Sequence, residues 1–246
     1  MGESDEDFMA LGDEFVAALT EHAGLRDDSR VLDIGCGYGR LPHALKRSGF
    51  AGSYLGIDVL EKHIRWCNKR LGEPGFRFVH ADIKNDRYNP SGSLAVEDLD
   101  LGEERFDVIA AFSVFTHMWP DDVEAYLRLA AGALGPDGRL AATFFVLDHV
   151  WHQLEDEDRV ALKMPFEREP GCRYESQDEP LHRVAYEARW VVLNAADAGL
   201  VPAEHPVFGT WSWRPIEPES HPGYQDLFVF RPGDLSELGE STASRS

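Results

Sequence analysis

The stretch from Val31 to Arg47 leaves this chain few ways to fold. Val31-Leu32-Asp33-Ile34 is a short apolar run holding one acid, Gly35-Cys36-Gly37-Tyr38-Gly39 alternates glycine with other residues, and Leu41 to Arg47 has helix-forming composition. That succession reads as a strand, a tight turn and a helix N-terminus. Without a Cβ, glycine lets the backbone bend sharply and lets a bulky ligand come close. The helix start adds unpaired N–H groups and a partial positive charge. Asp33, just before the turn, suits a ligand with a cationic amino group better than one led by a phosphate.

The rest of the chain repeats the rhythm. Phe8 to Ala23 reads as an amphipathic helix with Phe8, Leu11, Phe15 and Leu19 near one face. Strands are expected at Arg30–Ile34, Ser53–Ile57, Phe76–His80, Phe106–Phe112 and Arg139–Leu147, with helices at Leu41–Ser48, Leu60–Leu71 and Pro120–Leu134 between them. Gly135-Pro136-Asp137-Gly138 reads as a turn. A helix over Glu187–Ala198 and two last strands, Val201–Trp211 and Tyr224–Phe230, close the pattern. Strands alternating with helices at these intervals predict an α/β domain with a parallel sheet covered on both faces. The domain is expected over residues 1–230, with 84–105 and 148–183 as irregular insertions or a cap, and 231–246 as a flexible tail.

Charge and cysteine content narrow the partners. The net charge of −20 opposes a polyphosphate partner unless a local basic patch overrides it. The densest basic group, Lys62, Arg65, Lys69 and Arg70, has the spacing of a solvated helix face. Nucleic acid and an anionic membrane are therefore not expected as partners. No apolar run approaches the roughly 20 residues that span a bilayer, and the acidic start carries no secretory pattern. Cys36, Cys67 and Cys172 are odd in number and lack CxxC spacing, which speaks against a disulfide framework or zinc knuckle and fits a cytoplasmic location. Nothing in the sequence sets the oligomeric state.

The glycine spacing separates two ligand classes. A dinucleotide fingerprint wants G-x-G-x-x-G, and Arg40 stands where its last glycine belongs. A nicotinamide oxidoreductase is disfavoured on that ground; a structural turn without ligand is the plainer alternative. Asp58, at the end of the second strand, can accept two hydrogen bonds from a ribose diol, or cap the next helix. Asp82, beyond the third strand, can accept an adenine amino hydrogen with Ile83 packed on the ring, or serve only as a turn residue.

The G-x-G-x-G pattern preceded by Asp33 resembles motif I of the class I S-adenosylmethionine (SAM) dependent methyltransferases. The likeness runs over roughly residues 30–230. It resembles a bacterial subgroup at Gly56-Ile57-Asp58-Val59, Ile64-Arg65-Trp66-Cys67, Phe76-Arg77-Phe78, Tyr88-Asn89-Pro90, Ser113-Val114-Phe115-Thr116-His117-Met118, Ala142-Thr143-Phe144-Phe145 and Tyr224-Gln225-Asp226. The resemblance implies a Rossmann-like, doubly wound seven-stranded sheet of order 3-2-1-4-5-7-6 with strand 7 antiparallel. It also implies SAM as cofactor, bound by Asp33, Gly35, Cys36, Gly37, Asp58, Val59, Asp82, Ile83, Phe112 and Ser113. Tyr88-Asn89-Pro90 is distinct from the Asn/Asp-Pro-Pro-Tyr box of nucleic-acid methyltransferases: it precedes the fourth strand in reversed order, and reads as a turn that can shape the pocket.

Methyl transfer asks mainly for alignment and exclusion of water, and for a base only where the acceptor keeps a proton. His117 is the leading candidate base, with packing against the helix at Pro120 as the alternative. Asp148 and His149, after the fifth strand, can orient or deprotonate an acceptor. A catechol-type metal site would need an acid near Phe112-Ser113, and none is there, so no metal is expected. Tyr186, Trp211, Trp213 and Arg214 are candidate acceptor contacts; the two tryptophans also fit simple strand packing. The expected activity is transfer of a methyl group to oxygen or nitrogen of a small-molecule acceptor. The alternatives are a protein or RNA methyltransferase, or a non-catalytic SAM-binding protein.

Overall fold

A computed structural model describes residues 4–215, 223–234 and 236. Ser4 and Asp7 form a reciprocal capping box that opens α1 (Asp5–His22). Then follow β1 (Arg30–Ile34), α2 (Arg40–Ser48), β2 (Ser53–Asp58), α3 (Glu61–Arg70), β3 (Phe76–His80), β4 (Phe106–Ala111), α4 (Pro120–Ala133) and β5 (Leu134–Phe144). The remaining elements are β6 (Val146–Leu147), α5 (His149–Asp156), β7 (Phe166–Glu169), β8 (Cys172–Tyr174), β9 (Val184–Glu187), α6 (Ala188–Asp197), β10 (Leu200–Pro202) and β11 (Asp226–Pro232). No helix among the described residues is long and apolar enough to cross a membrane.

The main sheet has seven strands in the order β10-β11-β5-β4-β1-β2-β3. Read from β3, this is the 3-2-1-4-5-7-6 order the resemblance implied. β1 pairs in parallel with β2 and β4, and β2 with β3. β10 and β11 are antiparallel. Thr143, near the end of β5, bonds Gln225, just before the start of β11; an end facing a start marks opposite directions.

The chain divides into two compact units, residues 1–112 with 133–141, and residues 113–132 with 142–246. The first unit is built on β1, β2 and β4, whose Val31, Leu32, Ile34, Leu55, Ile57, Val108 and Ile109 are buried. Their near-continuous apolar character is what a strand covered on both faces requires. α1 packs on α2 within this unit, and a Cβ on Gly12 would come within 2.9 Å of the Arg40 carbonyl oxygen. The Arg40 guanidinium lies 5.1 Å from the Phe8 ring, and Phe15 stacks on Phe112 at 4.3 Å. The apolar face of the first helix is thereby accounted for.

The second unit carries a four-stranded sheet of order β6-β9-β8-β7 over a cluster that includes Phe145, Trp151, Met164 and Trp211. Residues 148–183, expected to be irregular, in fact hold α5, β7 and β8. The strands are three or four residues long (Phe166-Glu167-Arg168-Glu169 is charged and largely exposed), so no apolar alternation announces them; pairing of β7 with β8 and of β8 with β9 does the work. The last strands are also corrected. β10 stops at Pro202 rather than running to Trp211, and β5 begins at Leu134, read as the last helical residue, and runs through Gly135-Pro136-Asp137-Gly138, read as a turn. β11 continues through Pro232; of the expected tail, residues 235 and 237–246 lie outside the described residues.

Candidate cofactor and active site

Within the first unit, β1, β2 and β3 run parallel and side by side, so their carboxyl ends share one edge. The register sets Asp33 opposite Gly56 and Asp58 opposite His80. At that edge the chain leaves β1 through the glycine turn. The Gly35 and Cys36 N–H groups both donate to the Ile57 carbonyl, at 2.8 and 3.0 Å. Gly35, Gly37 and Gly39 all have positive φ, at 73°, 54° and 78°, where a side chain is strained. Gly39 is also packed, since a Cβ there would meet Leu71 Cδ1 at 2.5 Å. At Gly37 a Cβ would meet nothing within 4 Å, so the turn faces open space there.

Asp33 is buried and accepts the Tyr54 hydroxyl on Oδ2 at 2.5 Å. Burial raises its pKa to about 7, offset in part by the Tyr54 hydrogen bond and reinforced by the charge of Asp58. Asp58 Oδ2 accepts the Gly37 N–H at 2.8 Å, and Oδ1 accepts the Leu60 N–H at 2.8 Å with His63 Nδ1 at 3.3 Å. It therefore ties the glycine turn as well as starting α3. Asp82 is oriented by the segment 84–105: Asn89 Nδ2 donates to Oδ1 at 3.0 Å and Ser93 Oγ to Oδ2 at 2.7 Å. These hydrogen bonds, Ser93 first, hold its pKa below the usual carboxylate value. Asn89 belongs to the Tyr88-Asn89-Pro90 turn, so that turn shapes the surroundings of Asp82.

These residues fit SAM. Among the described residues Asp33 Oδ1 accepts no hydrogen bond, which leaves one carboxylate oxygen for an ammonium group. The space at Gly37 admits a ligand against the backbone. A cavity of about 620 Å³ in this unit lies away from the glycine turn, at the amino ends of β1 and β4. Its central Arg30 and Asp107 are already paired at 2.8 Å.

Comparison with known proteins points the same way over this part of the chain. A family model for a methyltransferase domain matches residues 31–138, which include the glycine turn and all three acids. Over these residues the chain is similar to a methyltransferase domain. The ubiquinone biosynthesis O-methyltransferase of Neisseria meningitidis is 33% identical over 118 residues, 48% of this chain and 44% of that protein. The chain spans less than half the length of the curated relatives it matches. Two solved structures share the fold. One is the 1,6-didemethyltoxoflavin-N1-methyltransferase of Burkholderia thailandensis, with S-adenosylhomocysteine bound: TM-score 0.55, 21% identity, 94% of this chain and 80% of that one. The other is the PH0226 protein of Pyrococcus horikoshii: TM-score 0.62, 16% identity, 94% of both chains.

Beyond the matched domain's first half, the second unit opens with Ser113, directly after Phe112. Ser113 has φ 55°, a left-handed conformation that costs about 1–2 kcal/mol for a residue with a Cβ. Its N–H donates to Thr143 Oγ1 at 2.8 Å and its hydroxyl to Gln225 Oε1 at 3.1 Å. Thr143 donates to the same Gln225 oxygen at 2.6 Å. His117 follows in a single 3-10 turn, with Nδ1 3.1 Å from the Leu181 carbonyl. If that nitrogen carries the proton, Nε2 is the basic one.

Several expected acceptor contacts turn out to be structural. Tyr186 is fully buried, donates to the Met118 carbonyl at 2.7 Å and stacks on Trp190. Trp211 is buried, with Nε1 donating to Asp226 at 2.7 Å. Arg214 is buried on the Phe208 ring and grips both Asp148 oxygens, at 3.0 and 2.9 Å. Asp148 Oδ1 also accepts the Trp151 N–H at 2.9 Å, so this carboxylate caps α5 and neutralises Arg214 rather than standing ready as a base. His149 is exposed on α5. Trp213 is 72% exposed at φ 59°, held out between the buried Ser212 and Arg214.

Sequence reasoning did not single out Tyr54 or Ser93, and named Asp226 only within the Tyr224-Gln225-Asp226 likeness, with no role. Asp226 is fully buried and accepts from Val146 N, Gly209 N and Trp211 Nε1. An acid opening the apolar run Leu227-Phe228-Val229-Phe230 was the available signal.

Proposed function

We propose that this protein transfers a methyl group from SAM to an oxygen or nitrogen of a small-molecule acceptor. The observation that carries the reading is the gathering of Asp33, Asp58 and Asp82 along one sheet edge beside a glycine turn with open space at Gly37. In this reading Asp33 holds the cofactor ammonium, Asp58 the ribose hydroxyls and Asp82 the adenine amino group. Ile83 packs on the adenine, and Gly35, Cys36, Gly37, Val59, Phe112 and Ser113 line the rest.

Bound SAM supplies a methyl group already activated by its sulfonium, so the chain's own task is alignment and exclusion of water. His117 is assigned as the base that takes the acceptor proton from O–H or N–H as the new bond forms. Such a base contributes roughly 10²–10⁴-fold. Trp213 and His149 are assigned to acceptor contact, supported by their exposure in the second unit. The small-molecule class is supported by a relative named as a ubiquinone biosynthesis O-methyltransferase, and agrees with a structural neighbour named as a 1,6-didemethyltoxoflavin-N1-methyltransferase. The charge of −20 weighs against RNA. Three free cysteines agree with a reducing, cytoplasmic compartment.

The test is incubation of the protein with methyl-labelled SAM and a metabolite extract, followed by mass spectrometry. One or more small molecules gaining a single labelled methyl is the expected result. Label found only in protein or RNA, or SAM bound with no label transferred anywhere, overturns the reading.

A further inference from the structure

Among the described residues, one titratable side chain hydrogen-bonds Asp33, and it lies on the neighbouring strand. The Tyr54 hydroxyl donates to Asp33 Oδ2, and both side chains are buried. The Tyr54 ring is itself fixed, stacked on Phe76 at 5.4 Å and tilted against Phe78 at 5.5 Å. The hydroxyl therefore has one direction to point in, and the carboxylate it holds has one orientation. With Oδ2 engaged, Oδ1 is the oxygen left for a ligand.

We infer that Tyr54 is a positioning residue for the cofactor: it turns Asp33 Oδ1 toward the ammonium group of SAM and favours the ionised carboxylate that the ammonium needs. The inference rests on the reading of Asp33 as the ammonium partner. The surroundings make this hydrogen bond matter. Asp58 on β2 repels a second negative charge, Cys36 in the turn is a thiol pushed up by its hydrogen bond with Cys67 of α3 and by burial, and neither supplies a positive charge. His63 of α3 is engaged with Asp58. The β4 residue opposite Asp33 is Ala110, and α2, which opens directly after the turn, carries Arg40 and His43. Burial drives the Tyr54 phenol well above its ordinary pKa, so it remains a donor at every relevant pH.

Isothermal titration of wild type and Tyr54→Phe with S-adenosylhomocysteine and with 5′-methylthioadenosine tests this. The first ligand carries the ammonium group and the second lacks it. Tyr54→Phe should weaken S-adenosylhomocysteine binding roughly tenfold or more at neutral pH, and leave 5′-methylthioadenosine within about twofold. Protonated Asp33 cannot pair with an ammonium, so wild-type affinity for S-adenosylhomocysteine should rise with pH through about 7. In Tyr54→Phe that rise should move to higher pH. In an Asp33→Asn background, Tyr54→Phe should have no further effect. An unchanged affinity, an equal loss for both ligands, or an equal loss with and without Asp33 overturns the inference. Wild-type protein that binds neither ligand overturns the cofactor reading instead. The phenylalanine ring keeps the stacking on Phe76, and a thermal melt confirms that the variant is folded.

Discussion

The Asp58 carboxylate accepts the Gly37 N–H at 2.8 Å, so the acid that ends one strand holds the middle of the turn that follows its neighbour. One side chain thus shapes the glycine turn and is also the one proposed to hold the ribose hydroxyls of the cofactor. Asp58→Ala removes both. The expected outcome is a loss of about 1.5–3 kcal/mol in S-adenosylhomocysteine binding, measured by titration calorimetry. Asp58→Asn keeps the side-chain carbonyl for Gly37 and should lose less.

Gly37 and Gly39 share positive φ but differ in what surrounds them. Gly39→Ala forces a Cβ against Leu71 and Cys67, and should destabilise the fold by about 1–3 kcal/mol. Gly37→Ala meets no protein atom, so its stability cost should be about 1 kcal/mol. Its methyl instead enters the space assigned to the cofactor. Chemical denaturation and ligand titration should therefore rank the two variants in opposite order. The same order in both measurements would place the ligand elsewhere.

Two buried acids set the pH dependence of stability. Asp33 and Asp226 have folded-state pKa values raised by burial to about 7 and about 6. A raised carboxylate binds more protons folded than unfolded, so its contribution is fully present below the unfolded pKa of about 3.9 and is lost as pH rises through the folded value. Stability from these groups should fall between about pH 4 and pH 7 and then level off. Asp33→Asn should flatten that slope and melt higher than wild type at about pH 8, while binding S-adenosylhomocysteine poorly. An unchanged melting temperature there would contradict the burial of an ionised Asp33.

Asp226 fastens three N–H donors, from Val146, Gly209 and Trp211, at 2.7 to 2.8 Å. Asp226→Ala leaves all three buried without a partner, at about 1–3 kcal/mol each. A loss of more than about 3 kcal/mol in equilibrium unfolding is expected. The milder Trp211→Phe leaves the other two donors paired and should cost visibly less.

What the sequence conveyed followed physical period and spacing. The main strands β1 to β4 and their helices were legible because Val31-Leu32, Ile57 and Val108-Ile109 make apolar runs that turn signals bound. The order of the seven strands came from family likeness, which no periodicity in the chain supplies. The second sheet was illegible because β7 and β8 are short and are held by pairing, β7 with β8 and β8 with β9, rather than by their own pattern. The three strand-end acids could be named because each stands alone after an apolar run. Their partners could not: Tyr54 looks like any buried strand residue, and Ser93 like any loop serine. Arg214 and Asp148 read as two free polar groups, because 66 residues of chain hide that they form one ion pair.

Titration of S-adenosylhomocysteine into wild type, Asp33→Ala and Asp58→Ala tests the central claim most directly. Saturable one-to-one binding by wild type, weakened in each folded variant, is the predicted result. No heat with wild type, or equal affinity in all three, would contradict the assignment of these acids to the cofactor.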